Sequence, residues 1–95
     1  MKTENMTSTN GNKVANQFII TDDNGNEFFQ SYRSIIVKKN SNYDKAFSMN
    51  RIELDQKYWN YSTTTGRYRN IFLNETIKDT RKKIKSGEYI LTDLN

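Results

Sequence analysis

The stretch Gln17-Phe18-Ile19-Ile20-Thr21-Asp22-Asp23-Asn24-Gly25-Asn26-Glu27-Phe28-Phe29-Gln30-Ser31-Tyr32 reads as two strands folded about one turn. Gln17–Thr21 puts Phe18 and Ile20 on one face of a strand, and Glu27–Tyr32 alternates Phe28, Gln30 and Tyr32 against Phe29 and Ser31. Between them Asn24-Gly25 tolerates the positive φ angles of a tight I′ turn, which predicts a β-hairpin.

Working outward, Met1–Ala15 mixes Thr, Ser, Asn and Gly with no apolar period, so it is expected to be a disordered tail ahead of one domain over residues 16–95. Ser34–Lys39 is short and β-branched, a third strand, followed by a polar loop from Asn40 to Asp44. Lys45–Asn50 is ambiguous. Arg51–Asp55 alternates again, with Ile52 and Leu54 inward and Arg51, Glu53 and Asp55 toward water, a fourth strand. From Ser62 the period becomes helical: Ser62 or Thr63 supplies an N-cap, and Tyr68, Phe72 and Leu73 follow at helical spacing. A break near Asn74 separates a second helical stretch carrying Leu73, Ile77, Thr80 and Ile84 on one face. Glu75 and Asp79 stand early in it and Lys82, Lys83 and Lys85 late, an order that suits the helix dipole. Gly87 ends it, and Tyr89–Leu91 returns as a strand. The expected class is α+β: a small antiparallel sheet of about four to five strands with one or two C-terminal helices packed on one face.

Composition narrows the function. The chain has 95 residues, of which 34% are hydrophobic and 13% aromatic, so a small core must lean on its five Phe, six Tyr and single Trp. Cysteine and histidine are both absent, which removes thiolate nucleophiles, imidazole bases and the usual zinc, copper or haem ligands. No cofactor and no catalytic machinery are expected. No apolar run exceeds three residues, Ile35-Ile36-Val37 among them, far short of a membrane span, and no apolar leader opens the sequence; a cytoplasmic protein is the expectation. Thirteen Asn and ten Lys against five Arg and no Pro reflect A- and T-rich codons, which weakens any functional reading of Asn or Lys abundance. The net charge of +4 suits anionic partners without requiring them.

The densest constellation runs Lys57-Tyr58-Trp59-Asn60-Tyr61-Ser62-Thr63-Thr64-Thr65-Gly66-Arg67-Tyr68-Arg69. Rings stack bases, guanidinium groups grip phosphate, and a hydroxyl-rich helix start offers backbone N–H donors to an anion. Lys57, Tyr58, Tyr61, Thr64, Thr65, Arg67 and Arg69 are the candidate partner-binding residues here, whereas for Trp59 and Tyr68 a core position outweighs a binding one. Arg67 and Arg69 lie two apart and cannot share a helix face, so one of them points outward. Lys82 and Lys83 add a second basic surface, which dipole complementation explains equally well. The run is not a P-loop, because its glycine stands alone. Asp22–Glu27 holds calcium-loop residue types but has Glu27 where an EF-hand needs glycine, so the turn reading prevails. Glu53 and Asp55 share a strand face without a nucleophile or third ligand nearby in sequence, and a solvated face is the better account.

Three clusters, Phe29-Gln30-Ser31-Tyr32 with Ser34-Ile35-Ile36, then Trp59 through Leu73, then Thr80 through Asn95, resemble small uncharacterised proteins of bacteriophages and prophages. The resemblance brings no catalytic residues, and the segment from Lys39 to Asn50 is longer here. It implies a phage context, in which short accessory genes encode inhibitors of host defence. Together these readings give a non-enzymatic accessory protein that binds and modulates a host or phage protein complex of the nucleic-acid-handling, CRISPR or restriction type. The alternative is a module that binds nucleic acid directly through the basic and aromatic surface.

Overall fold

The computed structural model describes residues 1–8, 10–40 and 52–95. Its elements follow the order β1 (Lys2–Thr7), β2 (Lys13–Thr21), β3 (Glu27–Ser31), β4 (Ser34–Lys39), β5 (Ile52–Asp55), α1 (Thr63–Leu73), α2 (Ile77–Ser86) and β6 (Tyr89–Thr92). The six strands form one sheet in sequence order, an α+β architecture with the two helices inserted before the last strand. Neighbours pair antiparallel except β5 and β6, which are parallel because α1 and α2 carry the chain back to the starting end of β5.

A row of cross-strand partners, Ile19, Phe29, Val37, Leu54 and Leu91, crosses five strands on the face that the helices cover. Phe29, Val37 and Leu54 in that row have no exposed surface. The Phe29 ring stacks on Phe72 of α1 at 5.9 Å between centroids, and burying such a ring contributes roughly 2–3 kcal/mol. A bulge opposite Phe29 and Gln30 inserts one residue into β4, so that Ile36 and Val37, though successive, are both buried. The opposite face carries the row Ile20, Phe28, Lys38, Glu53 and Ile90, in which the Lys38 ammonium lies 5.9 Å from the Phe28 ring. Both helices begin on hydroxyl N-caps, Ser62 and Thr76, and end on left-handed residues, Asn74 at φ 54 and Gly87 at φ 85.

Several expectations change. Residues Lys2–Thr7 are a strand, not a tail, and Lys13–Ala15 already belong to β2. Met6 is the one buried residue of β1, so the segment lacks the apolar period that reveals a strand; it is held by backbone pairing with β2 along the sheet edge. The strand count rises to six for this reason. The hairpin forms where expected, but its turn is not type I′, which needs two positive φ angles; of the turn residues only Gly25 has one, at 83°. Asp22 N–H donates to Asn26 O at 3.0 Å and Gly25 N–H to Asp22 O at 3.1 Å, which makes a three-residue loop. The Asp22 carboxylate closes it by accepting from the N–H groups of Asn24 and Asn26, each at 2.9 Å. Asp55, expected to face water, is 1% exposed. The loop expected beyond Asn40 and the ambiguous Lys45–Asn50 lie outside the described residues.

Candidate functional site

Asp55 sits at the end of β5 and organises the turn that follows. Its Oδ2 accepts from the N–H groups of Lys57 and Tyr58 at 3.0 and 2.8 Å, and its Oδ1 from Leu94 N–H and the Asn95 amide, at 2.9 and 3.0 Å. Burial works to raise its pKa, but these donors outweigh it and hold the carboxyl below its ordinary value. The turn so fixed delivers Tyr58, Trp59 and Tyr61 to the start of α1. Ser62 caps that helix by accepting from Thr65 N–H at 3.2 Å, and the Thr65 hydroxyl bonds Ser31 of β3 at 2.9 Å, which locks the helix start to the sheet.

Two clefts flank this helix start. The first, of about 680 Å³, lies between the β3–β4 turn, which presents Tyr32, Arg33 and Ser34, and the segment carrying Tyr58, Tyr61 and Ser62. Ser31 and Ile36 belong to the same lining. Tyr32 and Tyr61 are 50% and 65% exposed, so their rings are available to a ligand, and Tyr58 meets Tyr61 edge to face at 5.4 Å. Tyr32 has φ 57 and Asn16, across the ladder, φ 64, and the Tyr32 N–H donates to Asn16 O at 2.7 Å. A bulky residue in the left-handed region costs about 1–2 kcal/mol, and the strain sits at the mouth of this cleft.

The second cleft runs along the other side of the first turns of α1 and is lined by Asn60, Ser62, Thr63, Gly66 and both Arg67 and Arg69. Arg69 is 1% exposed. Its Nη1 donates to Trp59 O at 2.7 Å and to Asn60 Oδ1 at 3.3 Å, and its Nη2 to Asn70 Oδ1 at 3.0 Å, all neutral acceptors, while the Nε–H has no partner. Among the described residues no carboxylate forms an ion pair with it. Burial and the positive charge of Arg81 both push its pKa down, against a partial offset from Glu75.

The expected binding residues divide accordingly. Lys57, Tyr61, Thr64, Arg67 and Lys82 are exposed and Tyr58 is half-buried; Tyr58, Tyr61 and Thr64 line the first cleft and Arg67 the second. Thr65 is wholly buried, lines neither cleft, and its hydroxyl is engaged by Ser31 and Ser62. Arg67 points outward and Arg69 inward, as their spacing demands. Lys82 and Lys83 stand on α2 and line neither cleft; Lys83 is turned onto Glu75 at 2.9 Å and lies 5.3 Å from the Tyr89 ring. Tyr68 belongs to the core and Trp59 packs half-buried against it. Sequence reading missed Tyr32 and Arg33, which only β3–β4 pairing brings to α1. Asn16 at the end of a polar run offered no signal at all.

No curated protein and no solved structure matches the chain. No helix among the described residues is long and apolar enough to cross a membrane. A family model matches residues 1–89, and the chain thereby belongs to DUF8033, a family of unknown function.

Proposed function

We propose that this protein is a non-catalytic binding protein whose ligand is a segment of single-stranded nucleic acid taken up in the cleft between the β3–β4 turn and the start of α1. The observation that carries the reading is the pair of exposed tyrosines, Tyr32 and Tyr61, facing one cleft together with Arg33 and the hydroxyl of Thr64. Aromatic faces accept any base by stacking, a guanidinium meets the backbone phosphate, and a hydroxyl donates to its oxygens. The cleft volume, within the range of small-ligand sites, holds a nucleotide or two. The net charge of +4 favours approach of a polyanion.

Anisotropy of a labelled mixed-sequence oligonucleotide tests this. Tyr32→Ala and Tyr61→Ala should each weaken binding by about 1–3 kcal/mol. Arg33→Ala should flatten the slope of log affinity against log salt by about one unit. Absence of salt-dependent binding by the unaltered protein would sink the reading. A second reading, a modulator that contacts a host nucleic-acid-handling or defence complex through protein surface, draws on β6, an edge strand whose Ile90 and Leu91 are 37% and 39% exposed. Retention of a defined protein from a nuclease-treated lysate by the unaltered chain, lost on Ile90→Lys, would favour it.

A further inference from the structure

The guanidinium of Arg69 is the unexplained charge of this molecule. An isolated buried cation is costly, and arginine is normally retained inside a protein only beside a carboxylate. Here the acceptors are one backbone carbonyl and two asparagine side chains, and Glu75, the acid whose field reaches it, spends its oxygens on Thr80, Tyr89 and Lys83. Those neutral acceptors and the Trp59 ring, whose centroid lies 5.4 Å from Cζ, orient and partly stabilise the guanidinium without supplying a counter-charge, and its Nε–H is unused. Arg69 lines a cleft that also contains Arg67, so a second cation stands at the same opening.

Gly66 marks the same place. It lies inside α1, where glycine costs roughly 0.5–1 kcal/mol relative to alanine, and its φ is not in the left-handed region. A Cβ there would meet Arg69 Nη2 at 3.6 Å, an ordinary van der Waals contact, so alanine fits the fold. Neither backbone nor packing requires the glycine. What a methyl group would take is the space beside the guanidinium on the cleft side.

We propose that this second cleft is a phosphate-binding site, in which Arg69, oriented by Trp59 O, Asn60 and Asn70, and Arg67 from the rim hold one phosphate group, with the hydroxyl of Thr63 in the first turn of α1 as a further donor. A tetrahedral anion uses this set better than a carboxylate, since its oxygens can engage the planar guanidinium groups and the Thr63 hydroxyl at once. The proposal deepens the nucleic-acid reading and rests on it for the carrier: Ser62 lines both clefts, so a strand stacked on Tyr32 and Tyr61 reaches the second cleft across the α1 start with its next backbone phosphate.

The test uses the full chain, ¹⁵N-labelled and titrated with inorganic phosphate against chloride at matched ionic strength. Phosphate should shift the backbone amide of Gly66 and the Arg69 Nε–H resonance, and both Gly66→Ala and Arg69→Met should abolish the effect with the rest of the spectrum retained. Gly66→Ala, whose fold is secured by its better helix propensity, should also weaken oligonucleotide binding about tenfold, the loss of one good phosphate contact. If phosphate leaves those resonances unmoved, or moves them equally in Gly66→Ala, the site is refuted even where the oligonucleotide binds through the tyrosines. If phosphate acts as described but the unaltered protein binds no oligonucleotide, the site stands and the tyrosine-cleft reading falls.

Discussion

Glu75, at the junction of α1 and α2, has a side chain 6% exposed and receives Thr80 Oγ1 at 2.6 Å, Tyr89 Oη at 2.6 Å and Lys83 Nζ at 2.9 Å. Arg69, on α1 itself, is 1% exposed and meets neutral oxygens and the face of the Trp59 ring, 5.4 Å from its Cζ, but no carboxylate among the described residues. In the first case burial works against the charge, but three donors outweigh it and draw the pKa below its ordinary value; in the second, burial and a like charge act together against the ion. One arrangement is what stability asks of a buried charge. The other leaves a cation needing an anion, and the two differ although both side chains lie on or beside the same helix. A buried ion that is completed by its own fold serves the fold, whereas one left incomplete beside a cleft points to something outside it.

The contrast can be broken most directly by removing each charge. Glu75→Leu should cost about 3 kcal/mol in denaturant unfolding, because it leaves the Tyr89 hydroxyl, the Thr80 hydroxyl and the Lys83 ammonium without their common acceptor. A loss below 1 kcal/mol would show that the cluster does not hold α2 to β6. Acid sharpens the same point. A carboxyl whose folded pKa is depressed stabilises the protein fully above its unfolded value, here ordinarily 4.5, and loses that stabilisation as pH falls through the lower folded value. Stability should therefore decline below about pH 5, and the decline should be shallower in Glu75→Leu, with the remainder due to Asp55 and Asp22, whose pKa values are likewise lowered. Identical pH profiles for the two proteins would remove Glu75 as the titrating group. The smallest effect belongs to Arg69→Met, which fills similar volume and carries no charge; it should change stability by no more than about 1 kcal/mol in either direction. A loss of several kcal/mol would make Arg69 a structural residue and erase its difference from Glu75.

Much of the local structure was legible along the chain. The β4 limits, the Ser62 cap, the break at Asn74 and the Gly87 stop follow from side-chain branching, hydroxyl capping and left-handed preference, all properties of residues and their nearest neighbours. The site was half legible. Tyr58, Tyr61 and Thr64 were found because they crowd one stretch, but Tyr32 and Arg33 belong to a turn 25 or more residues earlier and meet them because β3 packs on α1, through the Ser31 to Thr65 bond and the Phe29–Phe72 stack. Thr65 carried the same hydroxyl as Thr64 in the sequence and proved buried, since helical phase alone does not say which side of α1 lies on the sheet.

What the sequence by itself determined is the set of elements and their ends: the hairpin at Asp22–Asn26, the later strands, two capped helices and the spacing that separates Arg67 from Arg69. Tertiary structure alone decided the rest. It made Lys2–Thr7 a strand through ladder bonds that need a partner but no apolar pattern. It set β6 parallel to β5, and it turned Arg69 inward among carbonyl oxygens while giving Glu75 the donors of α2 and β6. Capping, turns and periodicity are fixed within a few residues, whereas edge pairing and the completion of a buried charge depend on groups that folding brings from distant parts of the chain.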